Sequence, residues 1–135
     1  MLSETHTPAF TLELSAAGHD TQIAAAGGAV GLYEARELER AIVSGIGQGR
    51  TRVVVDLTEV TEVGPGLLGV LLRLRRGVTR VGGSVALVAA GPPVSALVET
   101  TLLAVLIQVA GDRIEALALV GGSSEPARDR WTVRT

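Results

Sequence analysis

The stretch Gly64-Pro65-Gly66-Leu67-Leu68-Gly69 has the G-x-G-x-x-G spacing of a dinucleotide-binding loop. Such a loop joins a strand directly to a helix, and an acidic residue about 20 positions later binds the ribose. Here the apolar strand pattern ends near Leu57, so six residues precede Gly64, and the next strand pattern contains no Asp or Glu. No Lys-Ser/Thr pair follows the glycines, as a P-loop requires. The sequence therefore disfavours nucleotide binding and predicts that Gly64 and Pro65 begin a helix.

Other residue types used in catalysis or metal binding are sparse. The histidines, His6 and His19, lie in a polar N-terminal stretch and in a turn, without an acidic cluster at metal-ligand spacing. The chain has no cysteine, which excludes disulfides and thiol catalysis and fits a reducing compartment. We therefore expect no catalytic residue, no metal and no cofactor.

The composition predicts a folded domain that neither binds nucleic acid nor inserts into a membrane. The chain has 135 residues, 47% of them hydrophobic, and a formal net charge of -2, whereas nucleic-acid binders are usually basic. No segment approaches the ~20 apolar residues that span a bilayer. The N-terminus lacks the basic and apolar regions of a signal peptide. We expect a soluble, cytoplasmic protein.

Hydrophobic periodicity predicts a folded domain at residues 9–120, between a flexible N-terminal tail at 1–8 and a polar C-terminal tail at 121–135. The predicted strands cover residues 8–14, 21–28, 51–57, 84–90 and 104–109, and the predicted helices residues 33–46, 66–81, 92–103 and 112–120. The order β-β-α-β-α-β-α-β-α predicts an α/β fold with helices packed on the sheet.

Two further features are open to more than one interpretation. Arg73, Arg76 and Arg80 recur on one side of the second predicted helix. This is typical of a solvated face, and it also fits an acidic partner surface. Trp131, the only tryptophan, lies in the predicted C-terminal tail, where it either packs back on the domain or anchors a partner.

The segment VVDLTEVTEVGPGLLGVLLRLRR, residues 54–76, resembles STAS domains, the family of bacterial anti-sigma factor antagonists. Members typically read as an apolar strand followed by D-L-S-x-V-x-x-I-D-S-S-G-L-G-V-L-L. The matching residues are Asp56, Leu57, Thr58, Val60 and Val63 before the loop, and Leu68, Gly69, Val70, Leu71 and Leu72 after it. Residues 28–38, Gly82-Gly83 and Pro92-Pro93-Val94 also agree with the family. The resemblance implies a STAS-type (SpoIIAA-like) fold with a mixed sheet.

The functional loop departs from the family's pattern. Where the family has D-S-S-G, this chain has Gly64, Pro65, Gly66 and Leu67. The serine that a partner kinase phosphorylates aligns with Pro65, and neither Pro65 nor Gly66 has a hydroxyl. The nearest hydroxyls belong to Thr58 and Thr61. Thr61 is the candidate substitute, although a threonine near a strand end more often has a structural role. The resemblance thus implies a phosphorylation loop without its acceptor, whose dinucleotide spacing is coincidental.

The resemblance implies a non-enzymatic protein-interaction domain, an anti-sigma factor antagonist homologue that binds an anti-sigma factor of the GHKL kinase type. We predict an apolar partner-binding surface, formed by Val30, Leu32, Gly64, Pro65, Gly66 and Leu68. Leu67 and Leu68 alternatively turn inward into the core. The alternative function is a STAS scaffold or transporter-accessory subunit that assembles with its own copies or with a transporter. An enzyme or nucleotide binder is disfavoured because no catalytic set can be assembled.

Overall fold

The computed structural model of the protein describes residues 9–121 and 129–134, whose strands form a six-stranded sheet. The strands are β1 (Thr11–Ala16), β2 (Thr21–Val30), β3 (Arg52–Val63), β4 (Ser84–Val88), β5 (Gln108–Ala110) and β6 (Asp129–Arg134). The helices are α1 (Leu32–Gly47), α2 (Leu67–Arg80), α3 (Pro92–Thr100), α4 (Leu103–Leu106) and α5 (Arg113–Val120). The predicted α/β class is confirmed.

The sheet has the order β5-β4-β3-β2-β1-β6. Strands β2 to β5 run parallel to one another, whereas β1 runs antiparallel to both β2 and β6, so the sheet is mixed. Because the parallel strands all end at one edge, the turns that lead into α1, α2, α3 and α5 gather there.

Apolar side chains fill the space on both sides of the central strands. On one face α1 and α2 pack on the sheet, through residues such as Leu38 and Leu71. On the other face α5 packs through Leu117 against Val54. The run Val53–Val55 has no exposed surface, which is the expected result for a parallel strand covered on both faces.

Helix α2 follows the predicted periodicity closely. Its buried residues are Leu67, Val70, Leu71, Leu74 and Val78. The predicted helix extends to residue 81, but α2 ends at Arg80 and Val81 is exposed. Asp112, where the last predicted helix begins, is the N-cap of α5, because its side chain accepts a hydrogen bond from the Glu115 backbone N–H at 2.8 Å.

The segment after α3 differs from the prediction. The expected helix at 92–103 ends at Thr100, where the Thr101 hydroxyl donates to the Leu97 carbonyl and accepts from the Leu103 N–H. The expected strand at 104–109 is reduced to β5, because α4 takes up its first half. Leu103 and Ile107 are buried while Val105 between them is exposed, which suits a helical turn, since all three would share one face of a strand.

The predicted C-terminal tail is wrong for Asp129–Arg134, which form the edge strand β6. This strand pairs with the whole of β1, and Trp131 lies opposite Leu14 in the register. Its charged residues hide the alternation that identifies a strand, and charges are common on edge strands because they discourage further pairing. The predicted N-terminal tail, with His6, and residues 122–128 lie outside the described residues.

Candidate functional site

The glycine-containing loop connects β3 directly to α2. The strand does not end near Leu57 as predicted but continues to Val63, and the helix begins at Leu67. Register shifts between β2 and β3 act as β-bulges that keep the polar second half of β3 paired. The loop therefore follows its strand directly, and the predicted gap of six residues after Leu57 is no argument against a dinucleotide loop. The other arguments stand, since β4 carries no acidic residue and no Lys-Ser/Thr pair follows.

The turn depends on Gly66, which caps α2. Gly66 has φ 101°, in the left-handed region that favours glycine. Pro65 lies before this cap, so the prediction that Pro65 begins the helix is wrong. A Cβ atom on Gly66 would lie 3.2 Å from the Leu32 Cα, which leaves little room for any side chain. The start of α2 is thus packed tightly on the start of α1.

A second contact ties the same two loops together. The Gly64 N–H donates to the Val30 carbonyl at 2.8 Å. A Cβ atom on Gly64 would lie 3.1 Å from the Gly31 Cα, so the two backbones touch. The β2–α1 turn and the β3–α2 loop therefore form one continuous surface.

Most of the predicted partner-binding residues lie on this surface, but one does not. Pro65 is exposed, Leu32 is 49% exposed, and Gly64 and Gly66 are half-buried. Val30 is 1% exposed and offers only its carbonyl to the loop, so its predicted side-chain contact with a partner is wrong. Leu68 is half-buried against the core, and Leu67 is fully buried in it.

Sequence reasoning missed Tyr33, which is 60% exposed beside Leu32. The signal in the sequence was its place as the first residue of the predicted helix at 33–46. We call Leu32, Tyr33, Gly64, Pro65 and Gly66 the loop surface. It is apolar apart from backbone groups and the tyrosine hydroxyl, and it has no aliphatic hydroxyl.

A shallow cleft of about 370 Å³ lies between the two loops, and sequence reasoning missed it as well. Glu34 and Glu62 are its acidic residues, and Glu34 accepts a hydrogen bond from the Gly31 N–H at 3.1 Å. Across residues 9–121 and 129–134, no three His, Asp or Glu side chains are grouped to hold a metal ion. His19 is exposed in its turn. In the same part of the chain, none of the helices has the length and apolarity needed to cross a membrane.

The family model described as "Mlab, STAS domain" matches residues 12–113, most of the chain. The chain belongs to the STAS family. A search of the curated proteins finds no match.

Solved structures share the fold. An anti-sigma factor antagonist from Mycobacterium paratuberculosis is 22% identical, with a TM-score of 0.73 over 82% of this chain and 94% of that one. A protein from Thermotoga maritima is 16% identical, with a TM-score of 0.68 over 85% and 94%. The anti-sigma factor antagonist SpoIIAA in its unphosphorylated form is 16% identical, with a TM-score of 0.62 over 80% and 94%. The predicted STAS-type fold is confirmed.

At the family's D-L-S motif this STAS domain has Asp56, Leu57 and Thr58, and the two polar residues are hydrogen-bonded to each other. The Asp56 carboxylate accepts from the Thr58 hydroxyl at 2.6 Å, the Thr58 N–H at 3.0 Å and Arg113 Nε at 2.6 Å. Burial alone raises the pKa of Asp56, but the hydrogen bonds from Thr58 and Arg113 and the arginine charge outweigh burial and lower it. Asp56 thus stays ionised and joins β3 to α5.

The two threonines near the loop differ in their surroundings. The Thr58 hydroxyl is engaged by Asp56, so a phosphate there would face a carboxylate. Thr61 is exposed on β3, four residues before Pro65. Of the two, Thr61 is the better candidate for a substitute phosphoacceptor.

Proposed function

We propose that this STAS domain is a non-enzymatic, cytoplasmic regulator of bacterial transcription, an anti-sigma factor antagonist homologue that binds an anti-sigma factor through the loop surface. The observation that carries the proposal is the loop surface itself. Two loops are locked together at the start of α2, and they present Leu32, Tyr33 and Pro65 to solvent. Exposed apolar and aromatic residues on a rigid support are typical of protein interfaces.

The same surface supports binding without a phosphorylation switch. A phosphoserine adds nearly two negative charges, which disrupt an apolar interface by desolvation and repulsion. Pro65 and Gly66 have no hydroxyl to modify, and the first turn of α2 has no acidic residue that would mimic a phosphate. Pro65 and Gly66 therefore keep the loop surface in the form that corresponds to an unphosphorylated antagonist, and Thr61 lies outside that surface.

The partner is proposed from likeness to other proteins. Two of the similar structures are antagonists of anti-sigma factors by their descriptions. The resemblance of the sequence to STAS antagonists further implies that such partners are GHKL-type kinases. A partner of this class that meets Pro65 would bind it without a phosphoryl transfer, because that residue offers no acceptor.

The test is a pull-down from the native cytoplasm with the wild-type protein, a Pro65→Asp variant and a Pro92→Asp control as baits. Pro92 is an exposed proline that also follows a glycine at a helix start, so the control repeats the charge change at α3. Wild type and control should capture a kinase-type anti-sigma factor that Pro65→Asp does not retain. Equal capture by all three baits would contradict docking through the loop surface.

The alternative, a scaffold or transporter-accessory subunit, is favoured by a second apolar region. Leu102, Val105 and Ile114 are all strongly exposed on or beside the helices α4 and α5 that flank the edge strand β5, which lies two strands from β3. Exposed apolar residues beside a sheet edge suit self-association or a permanent subunit. Recovery of only the protein's own copies or a transporter subunit, lost in a Leu102→Ser/Val105→Ser variant and kept in Pro65→Asp, would establish this function instead.

A further inference from the structure

A groove between α1 and α2 extends from the loop surface along the outside of the domain. Its volume is about 460 Å³, and Arg36, Glu39, Arg40, Val43 and Arg73 line it. On α1, residues 32, 36, 39 and 43 recur at helical spacing, so Leu32 of the loop surface is the first residue of this row. The groove and the loop surface are thus continuous.

The middle of the groove is basic. Arg73 forms a two-pronged ion pair with Glu39, at 2.9 Å from Nε and 3.1 Å from Nη2. Hydrogen bonds from Arg73 lower the pKa of Glu39, and the charge of Arg36 adds to this effect. Glu39 is therefore neutralised by Arg73, and Arg40 is paired with Glu37. Among the described residues Arg36 forms no ion pair, so it supplies the surplus positive charge of the groove.

The positive charge continues down α2. Arg76 and Arg80 follow Arg73 at the i+3 and i+7 positions, so they lie on the same side of the helix. Both are exposed, and within the described parts of the chain neither forms an ion pair. Arg73 is thus the α2 arginine that lines the groove, and Arg76 and Arg80 extend the positive charge beside it along the exposed side of α2.

Apolar side chains mark the two ends of the row on α1. Leu32 and Val43 are both exposed, although each is a large hydrophobic residue. They are 11 positions apart, which is about 16 Å, or three turns of a helix. The groove is thus apolar at both ends and basic between them.

We infer that this groove binds an amphipathic helix of the partner that carries acidic residues between two apolar anchors. The helix would seat its anchors on Leu32 and Val43 and place its carboxylates on Arg36 and Arg76. This inference rests on the proposed function, since the groove begins at the loop surface. A second copy of the same face is disfavoured, because it would bring arginines against arginines.

The test uses a synthetic helical peptide of about 16 residues, with leucines about three turns apart and glutamates between them. A second peptide has lysine in place of every glutamate. Binding is measured by fluorescence anisotropy to the wild-type protein, to Arg36→Glu/Arg76→Glu and to a control, Arg75→Glu. Arg75 is exposed but lies about 160° round α2 from Arg73, away from the groove.

The acidic peptide should bind wild type and Arg75→Glu about equally, and should lose about tenfold or more in affinity with Arg36→Glu/Arg76→Glu. The lysine peptide should reverse this order. Equal binding of the acidic peptide to all three proteins, or to none, would overturn the inference. So would a dimer of the wild type that Arg36→Glu/Arg76→Glu dissociates, since the occupant would then be a second copy.

The pull-down with Pro65→Asp separates this inference from the proposed function. Arg36→Glu/Arg76→Glu is added to that pull-down as a further bait. If it keeps the anti-sigma factor and Pro65→Asp loses it, the loop surface binds the partner and the groove inference fails alone. If the acidic peptide binds as expected and no anti-sigma factor is captured, the groove inference holds for a partner of another class.

Discussion

The Asp56 carboxylate accepts a hydrogen bond from Arg113 Nε at 2.6 Å, across 57 positions of the chain. It links the central strand β3 to the first residue of α5, which packs on the opposite face of the sheet from α1 and α2. The Asp56 side chain is only 10% exposed and that of Arg113 is 39% exposed, so the carboxylate of the ion pair is the part that is shielded from water. A motif residue that marks the STAS family thus fixes the position of a distant helix.

Asp56→Asn should destabilise the fold by about 2 kcal/mol at neutral pH, because Arg113 loses a charged partner in a buried position. Although burial raises the pKa of Asp56, hydrogen bonds from Thr58 and Arg113 hold it below its ordinary value of 3.8 in the folded protein. Its contribution is therefore complete above the unfolded pKa of about 4 and is lost as the pH falls through the folded value. Urea unfolding of the wild type and of Asp56→Asn, between pH 7 and strongly acidic pH, measures the difference in their free energies of unfolding. That difference should shrink below about pH 4.

Asp20→Asn is the matched control for this prediction. Asp20 also pairs with an arginine, Arg52, but both side chains are about two-fifths exposed, at 42% and 40%. An exposed ion pair contributes little, so the change in stability should be much smaller than for Asp56→Asn. Similar losses in the two variants would show that burial of Asp56 is not what strengthens its pairing.

Gly66→Ala should destabilise the domain by about 1–2 kcal/mol, because alanine at φ 101° is strained. The new Cβ would also press on Leu32, which belongs to the loop surface. Partner binding should therefore weaken by more than the loss of folded protein explains. Thermal unfolding and the pull-down of the anti-sigma factor measure the two effects separately.

Gly77→Ala in the same helix is the control. Gly77 lies inside α2, and a Cβ atom there meets nothing within 4 Å. Alanine should stabilise the helix by up to about 1 kcal/mol and leave binding unchanged. If both glycine variants lowered the melting temperature equally, the special geometry of Gly66 would have no role.

Gly45→Ala and Gly47→Ala should have opposite effects, although they lie two positions apart in α1. A Cβ on Gly45 would fall 2.5–2.7 Å from the side-chain amide of Gln22. That amide donates to the carbonyls of Ile42 and Arg50, at 3.1 and 2.9 Å, so its displacement would leave buried polar groups unpaired. We expect a loss of about 2 kcal/mol for Gly45→Ala.

At Gly47 nothing lies within 4 Å of the added Cβ, and alanine has the higher helix propensity. Gly47→Ala should therefore raise stability by about 0.5 kcal/mol, a small gain because the residue ends the helix. The sign of the change in the denaturation midpoint distinguishes the two variants. A gain for Gly45→Ala would mean that Gln22 does not hold α1 in place.

Much of the fold is predictable because helices α1 and α2 each carry an apolar stripe of regular spacing. The length of β3 is not predictable from the sequence. Its second half contains the polar residues Thr58, Glu59, Thr61 and Glu62, which are typical of a loop until the β-bulges that keep them paired are known. Charges conceal β6 in the same way. Local patterns report burial, and the polar residues in the second half of β3 are exposed, whereas β6 is identified by its pairing with β1.

The candidate site is predictable in location but not in composition. The motif alignment identifies Gly64, Pro65 and Gly66, because a strand-to-helix loop is local in sequence. That Leu32 packs on Gly66 while Val30 is buried depends on how α1 leaves the sheet, which no local pattern states. The pairing of Asp56 with Arg113 is likewise a property of the complete topology.

Removal of residues 129–135 should turn β1 into an edge strand and lower the melting temperature. Strand β6 pairs with β1 along six positions, from Thr11 opposite Arg134 to Ala16 opposite Asp129. In an antiparallel sheet, alternate N–H groups of β1 point to its two neighbours. Those directed at β6 should lose protection from hydrogen exchange in the shortened chain, while those bonded to β2 keep it.

The β1 amides that face β2 serve as the internal control, because they report whether the rest of the sheet is intact. Selective loss on one side of β1 would establish that β6 is part of the domain. Loss on both sides would mean that β6 is needed for the whole hairpin, which also agrees with pairing. Unchanged exchange at every β1 amide would mean that Asp129–Arg134 does not pair with β1 in solution, and that the chain beyond α5 is a tail after all.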